Sequence, residues 1–230
     1  MSKSIVIVGF GPGISSAVAD KFGAEGFAVT LVARNQTGLE AGVQALKAKG
    51  VNAAAFAADA GDPGAIRAAI GKSRDVFGPV TVIHWNAISG GEAGDLMAAD
   101  PDAVRAVFDV AVVGLLAAVQ EALPDLKSAE NGAVLVTNGA LGETTPMMDG
   151  FAIGLKAMGV ALANAAKAKL VGMLSQALKG DGVYVGEVTV AGMIKGTPYA
   201  SGDQGIEGAA VARMFWKLYQ ARDEVRARIT

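Results

Sequence analysis

The chain has 230 residues, 52% of them hydrophobic and 18% charged, with a net charge of −2 and no cysteine. That is enough apolar material for one sizeable core, and it excludes disulfides and cysteine metal sites. Lysines and arginines are scattered rather than clustered, so the electrostatic footprint of a nucleic-acid binder is missing and small organic ligands are the expected partners.

The apolar run Ile5 to Gly9 is too short for a secretory core, and the run Val110 to Val119 stops at Gln120, short of the ~18 residues of a membrane span. A cytoplasmic, single-domain protein over residues 1–230, entering no membrane, is therefore expected. In chain order, strands are predicted at Ser4–Val8, Ala28–Ala33, Asn52–Ala57, Val80–Trp85, Ala133–Thr137 and Val183–Val190. Helices are predicted at Gly13–Glu25, Gly38–Lys49, Pro63–Phe77, Pro101–Leu123, Phe151–Leu178 and Gly208–Arg222. Strands such as "IVIV" and "AVLV" are apolar throughout instead of alternating, as when helices cover both faces of a parallel sheet. The expected fold is α/β, a Rossmann-type doubly wound parallel sheet in three α/β/α layers. Gly139–Gly150 and Gly192–Gly205 are read as irregular segments at the carboxyl ends of strands, where such sheets bind ligands. In the last helix, Phe215, Leu218 and Tyr219 stand at helical spacing and suggest packing at a subunit contact.

The loop "GFGPGIS" follows a strand and opens a helix. Gly9 and Gly11 satisfy the first two places of G-x-G-x-x-G, and Ile14 takes the third. Read as G-x-x-x-G-x-G, the loop uses Gly9 and Gly13, with Ser15 at the last glycine place. Either way the backbone can approach a pyrophosphate, whose charge the helix N-terminus favours. With this spacing the sequence resembles the short-chain dehydrogenase/reductase family. At the end of the second strand, "LVARN" carries Arg34, and no acid occurs between Gly26 and Leu39 to hold a ribose 2′-hydroxyl. A guanidinium suits a 2′-phosphate, so NADP(H) is expected over NAD(H); the missing acid also speaks against the methyltransferases of similar fold. The resemblance assigns Asp59 to the adenine amino group and Asn86 and Ala87 to the loop after the fourth strand. It assigns Gly192 and Thr197 to the loop that cradles the nicotinamide, with Ala191 in place of a proline.

In that family a tyrosine exchanges the proton, a lysine four residues later lowers its pKa and grips the ribose, and a serine and an asparagine complete the relay. Here the serine position falls on Gly139 and the asparagine position on Ala111. Counting without gaps puts the tyrosine at Ala152 and the lysine at Lys156, which is then both a cofactor and a catalytic candidate. Matching "ANAAKAKLVG" instead puts them at Ala163 and Lys167. The three tyrosines, Tyr184, Tyr199 and Tyr219, all follow this region, so the usual acid is absent under either alignment. His84, the single histidine, and Tyr199 in "GTPYAS" are the replacement donors to consider. Small residues at 139 and 152 leave room beside the nicotinamide, and Met147, Met148 and Phe151 offer an apolar wall. Two functions follow: an NADPH-dependent reductase with an altered proton-transfer site acting on a medium-sized apolar electrophile, or an NADPH-binding sensor or assembly protein without catalysis. The resemblance also implies a homodimer or homotetramer formed by the helices after the fourth and fifth strands.

Overall fold

A computed structural model describes residues 3–89, 92–197, 200 and 204–230. Strands β1 (Ser4–Val8), β2 (Ala28–Ala33), β3 (Ala53–Ala57), β4 (Val82–Trp85), β5 (Ala133–Gly139), β6 (Tyr184–Val190) and β7 (Arg226–Ile229) form one sheet. They are parallel and lie in the order β3-β2-β1-β4-β5-β6-β7. The order reverses between β1 and β4, which opens a crevice at the carboxyl ends of those two strands. Helices α1 (Ile14–Ala24), α2 (Gln36–Ala48) and α8 (Gly208–Ala221) pack one face of the sheet; α3 (Pro63–Phe77), α5 (Leu115–Ser128) and α7 (Met158–Leu178) pack the other. The doubly wound fold expected from the sequence is the observed one.

Caps explain where helices begin. Asp62 accepts from the N–H groups of Gly64 and Ala65 at 2.8 and 3.1 Å, with Pro63 in the first turn of α3. Asn35 accepts from Gly38 N–H at 3.1 Å, which starts α2 two residues ahead of its predicted Gly38. The helix predicted at Pro101–Leu123 runs on to Ser128 as α4 (Pro101–Phe108), a π stretch at Asp109–Gly114, and α5. This run is long and apolar enough to cross a membrane, but half of its most apolar window is buried in the fold, as in a core helix.

Two expectations are corrected. The helix predicted at Phe151–Leu178 is two helices, α6 (Pro146–Gly154) and α7, so α6 also replaces part of the irregular segment at Gly139–Gly150. The break is a Schellman motif: Lys156 N–H donates to Ile153 O at 3.1 Å and Ala157 N–H to Ala152 O at 2.8 Å, with Lys156 at φ 49°. β7 was not anticipated from the sequence. Phe215, Leu218 and Tyr219 are buried within the chain's own core, near Phe22 and Phe27, as expected of a packing helix.

Candidate nucleotide site and its neighbourhood

The loop leaving β1 places Gly9 at φ 85° and Gly13 at φ 94°, backbone that favours glycine. At Gly9 space is also lacking, since a Cβ there would stand 2.4 Å from the backbone nitrogen of Ala87. Asn86 makes this closeness possible: its N–H donates to Val8 O at 2.8 Å and its Nδ2 to Gly9 O at 3.1 Å, tying β4 to the loop. Ser15, at the third glycine place, is buried as a brace. Its Oγ accepts from Gly11 N–H at 2.9 Å and donates to Gly11 O at 3.0 Å. A Cβ at Gly11 would meet nothing within 4 Å, so the outer side of the loop is open. The first turn of α1 carries no acidic residue, which leaves its positive end unopposed for an anion.

Gly9, Arg34, Asp59, Asn86 and Ala87 line one cleft of about 240 Å³ at the switch point. Arg34 is exposed there, and Asp59 accepts from Gly61 N–H at 2.9 Å. The cleft is also lined by Phe10, Ala33, Ala60, Ile88, Ser89 and Val110, which sequence reasoning missed. One signal was present: Gly42 inside α2 has no room for a Cβ, which would stand 2.5 Å from the ring of Phe10. Ile14 packs against the core that contains Ile194, and a Cβ on Gly13 would lie 3.0 Å from Ile194 and 3.1 Å from Thr197 in the loop after β6. Thr197 Oγ1 donates to Ile194 O at 2.7 Å, and Gly192 packs against Ile206. Gly192 and Thr197 thus lie in a loop that packs on the glycine turn. Tyr199 lies outside the described residues.

Further along the same edge, Gly139 ends β5, and a Cβ on it would lie 2.6 Å from Nδ2 of Asn164 on α7. Ala111, in the π stretch, and Ala163, on α7, are buried in one small apolar cluster with Ala93 and Val107. Gly159 N–H donates to Ala93 O at 2.9 Å and Met158 N–H to Gly94 O at 3.3 Å, so the segment around Ala93 is fastened to the start of α7. Lys167 follows Ala163 by about one turn and is 2% exposed; burial pushes its pKa down to about 8, against the opposing pull of Glu187.

Two donor candidates sit elsewhere. Lys156 is exposed at the junction between α6 and α7, where its backbone ends a helix, while Ala163 and Lys167 lie buried on α7. His84 has no exposed surface: strand parity turns it, with Val82, toward α8, where its ring meets Phe215 edge-on at 4.8 Å. Its Nε2 lies 3.1 Å from Thr137 Oγ1 and its Nδ1 has no partner among the described residues; burial lowers its pKa to about 3. It is a neutral core residue, not a group open to the cleft.

Comparison with known proteins places these features in a family. Residues 3–203 match the model of the short chain dehydrogenase family. 3-Dehydrosphinganine reductase TSC10A of Arabidopsis thaliana is 33% identical over 128 residues, 55% of this chain and 38% of that protein. 3-Oxoacyl-(acyl-carrier-protein) reductase FabG of Staphylococcus aureus is 29% identical over 145 residues, 62% of this chain and 58% of that one. These matches thus cover less than two thirds of each relative's length. The structure of L-sorbose reductase from Gluconobacter frateurii, complexed with NADPH and L-sorbose, superposes with a TM-score of 0.86 at 20% identity, covering 99% of this chain and 95% of that one. Because the family match runs from the first strand past the loop that follows β6, the chain belongs to the short chain dehydrogenase family.

Proposed function

We propose that the protein is an NADP(H)-dependent oxidoreductase with an altered proton-transfer site. The observation that carries this reading is the convergence of Gly9, Arg34, Asp59, Asn86 and Ala87 on one cleft at the switch point. The residues fit a dinucleotide: the open backbone at Gly11 and the N-terminus of α1 receive the pyrophosphate, Arg34 the 2′-phosphate, Asp59 the adenine, and Lys167 the ribose nearer the chemistry. The NADPH in the L-sorbose reductase structure supports this choice. When bound, the nicotinamide supplies or accepts a hydride. Around it, Ala111, Gly139 and Ala163 have no side-chain proton to give. The reading therefore favours electrophiles that need little acid assistance, such as quinones, imines or activated alkenes, over plain ketones. A medium-sized apolar compound suits the side chains of Met148 and Phe151 on α6.

Calorimetric titration with NADPH and NADH tests the cofactor, and NADPH oxidation with 9,10-phenanthrenequinone and with cyclohexanone tests the chemistry. NADPH is expected to bind about tenfold more tightly than NADH, and Arg34→Ala to remove the difference. Equal affinities in the unmodified protein overturn the role of Arg34. Quinone turnover without ketone turnover is the expected pattern. The apolar packing of Ala93, Val107, Ala111 and Ala163 favours a second reading, an NADPH-binding sensor or assembly protein, and NADPH binding without quinone turnover selects it. In either case the exposed Val113, Leu162 and Met173, on the π stretch and α7, support a homodimer or homotetramer; a monomeric mass by light scattering contradicts it.

A further inference from the structure

Among the described residues the core encloses one lysine and one carboxylate, Lys167 at 2% and Glu187 at 1% exposure. They come from facing elements: Lys167 lies on α7, Glu187 on β6, and α7 packs on β6. Other charged residues on elements packed against α7 include Asp109 in the π stretch, Asp102 and Arg105 on α4, and Asp149 on α6, and none of these is buried. Glu187 opposes the effect of burial on Lys167, and among the described residues no contact of 4 Å or less joins the two side chains, so the attraction acts at longer range through the buried layer. The Glu187 Oε1 accepts from Thr189 Oγ1 at 3.0 Å and lies 3.8 Å from Nε of Arg226, which is half exposed; its Oε2 is buried without a hydrogen-bond partner among the described residues. Two enclosed opposite charges on adjoining elements are the arrangement that makes burial of either one tolerable. α7 runs from the carboxyl edge of the sheet inward, and helical side chains lean toward the helix N-terminus, so Lys167 leans back toward the level of Ala163 and Gly139. Neither of those residues has a side chain large enough to block it.

We propose that Glu187 is a positioning residue for the nucleotide site: its buried carboxylate, on the strand against which α7 packs, keeps the Lys167 side chain charged inside the protein, so that it can grip the ribose next to the nicotinamide. This rests on the proposed function for the ligand, but not for the pairing itself. Arg226 holds the outer side of the same carboxylate and donates to Ala168 O at 2.6 Å, so β7 completes the frame. With the carboxylate gone, burial acts on Lys167 alone and the lysine sheds its proton at lower pH.

The test uses ¹³C-labelled lysine and NMR titration of the nucleotide-free protein, with Lys167→Arg to assign the signal, followed by calorimetric titration with NADPH. In Glu187→Gln the Lys167 titration is expected to fall by about one pH unit, and NADPH affinity at pH 7.5 to weaken about tenfold. Glu187→Asp, which keeps the charge but draws it back, should fall between; if Glu187→Gln does not fold, the unmodified protein against Glu187→Asp carries the comparison. An unchanged Lys167 titration in a folded Glu187 variant overturns the pairing. Unchanged NADPH affinity beside a shifted titration overturns the positioning role. An unmodified protein that shows the expected titration but binds no NADPH overturns the proposed function, and the positioning role with it, while the pairing stands.

Discussion

The two ends of the ligand edge have been treated differently. At the β1–β2–β4 end, glycines stand where backbone crowding and positive φ demand them, and Arg34, Asp59 and Asn86 share one cleft. At the β5–α7 end, positions 111, 139 and 163 carry alanine and glycine, the alanines packed into an apolar cluster, and an extra helix, α6, precedes α7. On the proposed function, the contrast teaches that nucleotide binding and proton transfer are separable parts of this fold: the first rests on backbone shape, the second on a few side chains whose replacement leaves that shape intact.

The largest expected effect breaks the first end. Gly9→Val places a branched side chain against the backbone of Ala87 at φ 85°, and should cost at least about 3 kcal/mol by urea denaturation while abolishing NADPH binding. Normal binding by a stable Gly9→Val protein contradicts the crowding described for this loop.

Next comes the second end. Ala163→Tyr restores the family's side chain by identity but forces it into a filled space among Ala93, Val107 and Ala111. Overpacking should cost about 2 kcal/mol, lowering the melting temperature by about 4–8 °C, with no gain of cyclohexanone reduction. A variant that keeps its melting temperature and reduces the ketone shows that the cluster is an open active site.

The strands before and after these loops were legible because a sheet covered on both faces needs uninterrupted apolar runs, and "IVIV" and "AVLV" supply them. The same property hid the direction of His84: when both faces are buried, nothing in the sequence shows which one a given residue meets. The different settings of Lys156 and Lys167 were equally hidden, since both fit one helical face; the Schellman turn at Lys156 puts them on separate helices, and a lysine in the place usual for glycine gives no warning. β7 escaped notice because its four residues, Arg226–Ile229, alternate charged and apolar at an edge of the sheet. That Gly9, Arg34, Asp59 and Asn86 meet at one cleft was readable from their spacing along the chain, whereas Ala60, Ser89 and Val110 reach it only through the folding of separate loops.

A smaller effect concerns pH. The pKa of His84 is depressed from 6.5 to about 3, so between these values the unfolded chain binds more protons than the folded one. Its contribution is complete above pH 6.5 and is lost as pH falls toward 3. Between pH 7 and 5 the unmodified protein should lose stability more steeply than His84→Leu, by up to about 1.4 kcal/mol per pH unit, in urea titrations at each pH. Parallel profiles for the two proteins place His84 in contact with water. Smallest of all, Lys156→Gly should stabilise the α6–α7 junction by up to about 1 kcal/mol and leave NADPH affinity unchanged, by thermal denaturation and calorimetry. Weakened binding returns Lys156 to the site.

The separation of the two ends is tested most directly by a crystal structure of the protein grown with NADPH. The account predicts the pyrophosphate on the backbone of residues 9–14, the 2′-phosphate bonded to Arg34, Lys167 at the ribose beside the nicotinamide, and Ala93, Val107, Ala111 and Ala163 still packed together. A nucleotide seated away from Arg34, or one whose binding opens that cluster and brings a protonatable side chain against the nicotinamide, contradicts it.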